Sequence, residues 1–126
     1  MTSTILIADD EEFIVDLLAT LLEDEHYRVL RAYDGEQAFL LLEREHPQLL
    51  ITDVMMPKLT GSELALRIRG GAEGICETPI ILMSAVRPPF GIPQTLYLAK
   101  PFDIEKVLRL VEKLIGGIGG AVATPA

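Results

Sequence analysis

Apolar residues recur along the chain in two alternating spacings. Short, nearly unbroken apolar runs lie at 4–8 (TILIA), 48–52 (QLLIT), 79–83 (PIILM) and 96–99 (LYLA), with a more mixed run at 28–32 (RVLRA). Runs of this length and composition are those of strands buried on both faces. Between them, apolar positions three and four apart predict helices. Ile14, Leu17, Leu18, Leu21 and Leu22 mark one over about 11–25, and Ile104, Val107, Leu108, Val111 and Ile115 mark the last. Asp34 with Gln37, and Thr60 with Glu63, have capping-box spacing and open two more helices. Pro47 stops the first of these near Glu45, and Gly70-Gly71 ends the second. Asp103 is placed to cap the last helix.

Strand and helix alternate through five strands, which predicts an α/β fold with a parallel sheet and helices on both faces. Five strands suit the doubly wound, flavodoxin-like order 2-1-3-4-5. The interval between Ser84 and Lys100 is short and holds Pro88, Pro89, Gly91 and Pro93. An interior helical proline costs about 3 kcal/mol, so the fourth helix of such a fold is expected to be shortened or replaced by a loop over 85–95. That loop should be more mobile than its surroundings and leave Tyr97 accessible. Leu110 and Leu114 lie off the core-facing stripe of the last helix and are expected to offer a dimer surface. From Gly116 the chain reads GGIGGAVATPA, a flexible tail or linker. The domain is therefore expected over 1–115, with 116–126 outside it.

The length of 126 residues suits one domain, and 49% apolar composition suffices for a packed core. A single cysteine, Cys76, excludes an internal disulfide framework and a cysteine-based zinc cluster. No charged-then-apolar leader and no apolar run near the ~18 residues of a membrane span occur, so the expected location is the cytoplasm. The net charge of −8 is concentrated in residues 1–27, which hold eight acids and no Lys or Arg. The remainder is balanced and has no basic stripe to neutralise phosphates, so direct nucleic-acid contact is not expected. A cationic ligand or a basic protein surface suits the N-terminal third better.

In doubly wound sheets, ligands bind beyond the carboxyl ends of the strands. Asp9 and Asp10 follow the first strand, Asp53 the third, Ser84 the fourth and Lys100 the fifth. Three carboxylates at one edge repel each other unless a cation sits among them, and their repulsion should raise at least one pKa. An open, all-oxygen site selects Mg²⁺ over zinc. A carboxylate, Mg²⁺, a hydroxyl and an ammonium are the parts phosphoryl transfer needs, and a carboxylate can itself be the nucleophile. Neither GxxxxGK[ST] nor GxGxxG occurs, so nucleotide binding is not expected. His26 and His46 fall at helix ends and are given no catalytic part.

Asp9-Asp10, the run Asp53-Val-Met-Met-Pro-Lys-Leu-Thr-Gly, Ser84-Ala85 and Lys100-Pro101-Phe102, in this order at strand ends, resemble the receiver domain of two-component response regulators. The resemblance covers about residues 3–115. It implies that Asp53 is a phosphoacceptor, taking phosphate from a histidine of a sensor kinase or phosphotransfer protein. It implies that Asp10, Asp53 and the Met55 backbone carbonyl ligate Mg²⁺, with Asp9 acting through water. Ser84 would hydrogen-bond the new phosphoryl group, and Lys100 would pair with Asp53 before transfer and with phosphate after it. Tyr97 matches the switch aromatic, and Lys100-Pro101 is a candidate cis peptide. Thr60 stands where an acid is commoner, and the short interval after Ser84 departs from the family pattern.

Three functional readings follow. The first is a phosphorylation-switched signalling module, not a turnover enzyme, with a homodimer possible. The second is an interaction or dimerisation module of the same fold that works without phosphorylation. The third is a Mg²⁺-dependent phosphatase, which needs a second acid where Met55 stands.

Overall fold

The computed structural model describes residues 2–85 and 91–115. In chain order these form β1 (Thr4–Ala8), α1 (Glu12–Asp24), β2 (Arg28–Ala32), α2 (Gly35–Glu45), β3 (Leu49–Asp53), α3 (Gly61–Arg69), β4 (Ile80–Ser84), β5 (Thr95–Ala99) and α4 (Ile104–Ile115). All strand pairs are parallel, and the sheet order is β2-β1-β3-β4-β5. The strands therefore start one residue later than expected at β3 and β4, so that Asp53 and Ser84 are themselves the last strand residues.

Side-chain alternation along the central strands builds two core layers. Ile5, Ile7, Leu49, Ile51, Ile81 and Met83 pack with Val15, Leu18 and Leu22 of α1 and Val107 and Val111 of α4. Leu6, Ala8, Leu50, Ile80 and Leu82 pack with Ala38 and Leu42 of α2 and Leu64 and Ile68 of α3. Burying each large side chain contributes about 1.5–3 kcal/mol, which offsets the ordering of its own residue. The continuous apolar character of β1, β3 and β4 is thus the consequence of having helices on both sides.

Helix starts follow local chemistry. Thr60 and Glu63 form a full capping box, with Glu63 N–H donating to Thr60 Oγ1 at 3.1 Å and Thr60 N–H to Glu63 Oε1 at 2.9 Å. Asp34 accepts from Gln37 N–H at 2.8 Å, but the Gln37 side chain reaches Tyr33 N–H instead of Asp34, one residue beyond a standard box. Asp103 accepts from Glu105 N–H at 3.0 Å and so caps α4. His46, in left-handed conformation with φ 49°, ends α2 immediately before Pro47.

Among the described residues no helix joins β4 to β5. Residues 86–90 lie outside the described residues, and so does the expected tail over 116–126. In the described part of the connection Ile92 is buried in the layer of α2 and α3, while Ala85, Gly91, Pro93 and Gln94 are exposed. Two expectations are corrected here. Tyr97 is half-buried against that same layer, because its strand position points to the face that Ile92 helps fill. Leu110 and Leu114 are also half-buried, packed against the other layer, since the apolar stripe of α4 is wider than a single line of contacts.

Candidate functional site

The parallel sheet delivers the ends of β1, β3, β4 and β5 to one edge, as the strand order requires. Asp9 is fully buried, Asp53 is buried and Asp10 is exposed, and each offers a carboxylate oxygen within 4.8 Å of the others. Asp9 is fixed by its backbone N–H, which donates to the Ala32 carbonyl at 3.2 Å. Its Oδ1 accepts from Glu11 N–H at 2.9 Å, which orders the turn into α1. Lys100 Nζ lies 2.8 Å from Asp53 Oδ1 and 3.5 Å from Asp9 Oδ2. Lys100 is itself held by its N–H, which donates to the Ser84 carbonyl at 3.0 Å, and the Lys100-Pro101 peptide is cis.

The electrostatics follow from burial and crowding. Burial pushes the Asp9 carboxyl up to about 6, with the neighbouring Asp53 adding to the rise and the Glu11 N–H opposing it. The expected rise is therefore present, although burial is a larger cause than repulsion. For Lys100, burial pulls downward most strongly of the separate influences. The hydrogen bonds and the charges of Asp53 and Asp9 together outweigh it, and its pKa is raised. Lys100 is a fixed cation beside two carboxylates.

Could these residues hold a metal ion? Asp9 Oδ2 is buried and makes no hydrogen bond among the described residues, although it lies at ion-pair distance from Lys100. An oxygen so placed is costly unless a cation completes its environment. Three carboxylates with one exposed member form an open, hard-oxygen donor set of the kind Mg²⁺ takes. The residues fit such an ion.

The loop after β3 completes the edge. Met56 is buried in the core while the Met55 side chain is exposed, which leaves Met55 its backbone as the part able to serve the site. A side chain at Gly61 would overlap the Asp53 carbonyl and the Val54 backbone, so glycine alone permits this approach. Gly61 N–H in turn donates to the Val54 carbonyl at 2.8 Å, closing the loop behind Asp53. Ser84 is half-buried at the end of β4, one residue past Met83, the register partner of Asp53, and Tyr97 lies on β5 one strand further out. Ser84 and Tyr97 both line a cavity of about 560 Å³ along β5, shared with Lys106.

Sequence reasoning missed Thr52. Its hydroxyl donates to the Asp53 carbonyl at 3.0 Å and contacts Met56 Sδ at 3.8 Å, tying the acceptor residue to the loop that follows. A hydroxyl in an otherwise apolar strand, next to a carboxylate, was the available signal. His26 and His46 are both exposed, with left-handed backbone at helix ends, and neither joins the edge.

Comparison with known proteins places this geometry in a wider set. The family model for the response regulator receiver domain matches residues 5–112. Response regulator GtcR of Aneurinibacillus migulanus is 40% identical over 122 residues, covering 90% of this chain and 48% of that protein. A 14.6 kDa uncharacterised protein of Leptolyngbya boryana is 38% identical over 118 residues, covering 86% of this chain and 87% of the other. The chain spans about half the length of the first of these relatives. Among solved structures, the receiver domain of Francisella response regulator 1452 superposes with a TM-score of 0.81 at 28% identity, covering 91% of this chain and 98% of that one. The receiver domain of a sensor histidine kinase from Pseudomonas aeruginosa PAO1, with a magnesium ion coordinated in its active-site cleft, gives 0.80 at 27% identity, covering 93% of this chain and 100% of that one.

Proposed function

The chain belongs to the response regulator receiver domain family, and we propose that it acts by accepting a phosphoryl group on Asp53. The donor would be a phosphohistidine of a sensor kinase or a histidine phosphotransfer protein. The observation that carries this reading is the 2.8 Å contact of Lys100 Nζ with Asp53 Oδ1, beside the carboxylates of Asp9 and Asp10. In the transfer, an Asp53 oxygen attacks phosphorus, an O–P bond forms and the N–P bond to imidazole breaks. The imidazole leaves with the electron pair and takes up a proton. Lys100 holds the acceptor carboxylate before attack and neutralises phosphoryl oxygen charge afterwards.

Asp10, Asp53 and the Met55 carbonyl would hold Mg²⁺, with Asp9 acting through water. The ion supplies charge neutralisation on the transferring oxygens. Asp9 orders the turn that presents Asp10. Ser84 would move to hydrogen-bond the bound phosphoryl group, and Tyr97, on the strand next to it, would turn inward in response as the switch. The domain would run over 1–115 with 116–126 as a tail or linker. Signalling in the cytoplasm without direct nucleic-acid contact by this chain, with a homodimer possible, completes the reading. None of the described helices is long and apolar enough to cross a membrane.

Incubation with acetyl phosphate and Mg²⁺ followed by intact mass tests the reading. One added phosphate that depends on Mg²⁺ and is absent from Asp53→Asn is expected. No addition would mean a module that works without phosphorylation, and continuous phosphate release with rapid turnover would mean a phosphatase. Either result overturns the proposal.

A further inference from the structure

The strand that leads into Lys100 is an edge strand, for among the described residues β5 pairs with β4 alone. Its entry into the sheet is fastened by one side chain from another element. Arg69, the last residue of α3, directs all five guanidinium N–H donors to oxygens. Nε donates to the Pro93 carbonyl at 2.6 Å. Nη1 donates to the carbonyls of Cys76 at 3.1 Å and Thr78 at 2.7 Å. Nη2 donates to the Gln94 carbonyl at 2.7 Å and reaches Thr95 Oγ1 at 3.5 Å. Four of the five acceptors are thus backbone carbonyls, from two segments far apart in sequence.

Those segments are the approaches to β4 and to β5. The first pair of the ladder between these strands is Ile80 with Thr95, directly after the carbonyls that Arg69 gathers. Gln94 sits there in left-handed conformation at φ 55°, which a side chain disfavours. Thr95 Oγ1 donates to the Pro93 carbonyl at 3.0 Å within the turn and Ile80 N–H donates to the Gln94 carbonyl at 3.3 Å, and Arg69 adds to these the hold that comes from α3. No helix among the described residues provides one between the two strands. At the other end of the same ladder, Lys100 N–H meets the Ser84 carbonyl and Lys100 Nζ meets Asp53. A slip of one residue would carry Lys100 about 3.3 Å along the strand and turn its side chain to the opposite face. Its 2.8 Å contact with Asp53 could not survive that change.

We propose that Arg69 is a positioning residue for the acceptor site: its guanidinium locks the register in which β5 enters the sheet and so delivers Lys100 to Asp53. The register rests on this geometry alone, and only its effect on phosphorylation rests on the reading of Asp53 as acceptor. Lysine at this place keeps the charge and loses the planar fork that spans both segments.

The test compares wild type with Arg69→Lys, using Arg67→Lys on the same helix as control. Amide exchange resolved by residue, and the initial rate of phosphorylation by acetyl phosphate in saturating Mg²⁺, are the two readouts. In Arg69→Lys, amides over 96–100 should exchange on the order of tenfold faster while those of β1 and β3 stay within about threefold of wild type. The phosphorylation rate should fall on the order of tenfold, because Lys100 is misplaced. Adding Gln94→Gly removes the left-handed penalty and should restore much of both; this double variant is also the one measured should Arg69→Lys not fold. In the wild type, the Arg69 Nε proton should exchange slowly with solvent. Equal acceleration in all strands, unchanged exchange over 96–100, or a rapidly exchanging Nε proton would overturn the proposal. A wild type that accepts no phosphate would refute the acceptor reading and leave the exchange data to decide the role of Arg69.

Discussion

Consider replacing Asp9 by asparagine in the metal-free protein. The native carboxyl has its pKa at about 6 against 3.8 for the ordinary group, chiefly because it is buried. Each pKa unit corresponds to 1.36 kcal/mol, so ionising Asp9 costs the folded state about 3 kcal/mol. The sign follows from proton binding. Between pH 4 and 6 the native state holds the Asp9 proton more tightly than the unfolded chain does. The stabilisation is complete below about pH 4 and is lost as pH rises through 6. Asp9→Asn cannot titrate. It also places an amide N–H₂ near Lys100, where an unsatisfied donor costs about 1–3 kcal/mol, but that cost does not vary with pH. The informative quantity is therefore the slope of the difference. Urea denaturation followed by far-ultraviolet circular dichroism, in EDTA and at half-unit steps from pH 4 to pH 7.5, measures it for both proteins. The variant should gain about 2 kcal/mol on wild type across this range, since part of the change already lies below pH 4, and this corresponds to a change on the order of 10 °C in Tm. A difference that stays constant with pH would refute the assignment of a buried, elevated Asp9 carboxyl, whatever its size.

Other consequences are as open to measurement. Millimolar Mg²⁺ should raise the Tm of the wild type, more at pH 7.5 than at pH 5 because the ion competes with the Asp9 proton, and Asp10→Asn should abolish the rise; scanning calorimetry with and without EDTA checks this. Gly61→Ala sets a methyl against the Asp53 carbonyl and the Val54 backbone, neither of which can swing aside. It should destabilise by roughly 2–3 kcal/mol in urea melts and slow phosphorylation of whatever remains folded. Thr60→Ala removes the acceptor for Glu63 N–H and should cost about 1 kcal/mol, whereas Thr60→Ser should be near wild type in the same melts.

Much of this protein was determined by signals that need only a few neighbouring residues. The Thr60–Glu63 box forms from contacts three residues apart, and its reading required no knowledge of the rest of the chain. Doubly apolar runs at β1, β3 and β4 announce burial on two faces, which in turn demands helices on both sides and puts Asp53 and its companions at one edge. Tertiary structure alone decided what depends on elements distant in sequence. Asp9 and Asp10 are adjacent identical residues, yet one is sealed and the other open, because β2 supplies the Ala32 carbonyl that turns Asp9 inward. Tyr97 was expected to be accessible and is half-buried, because Ile92 and the layer of α2 and α3 lie beneath it. Arg69 reads in the sequence as one more cation at a helix end. Its partners are carbonyls at Cys76, Thr78, Pro93 and Gln94, and a carbonyl has no letter of its own in the sequence: every residue carries one, and only the fold says which are left to bind.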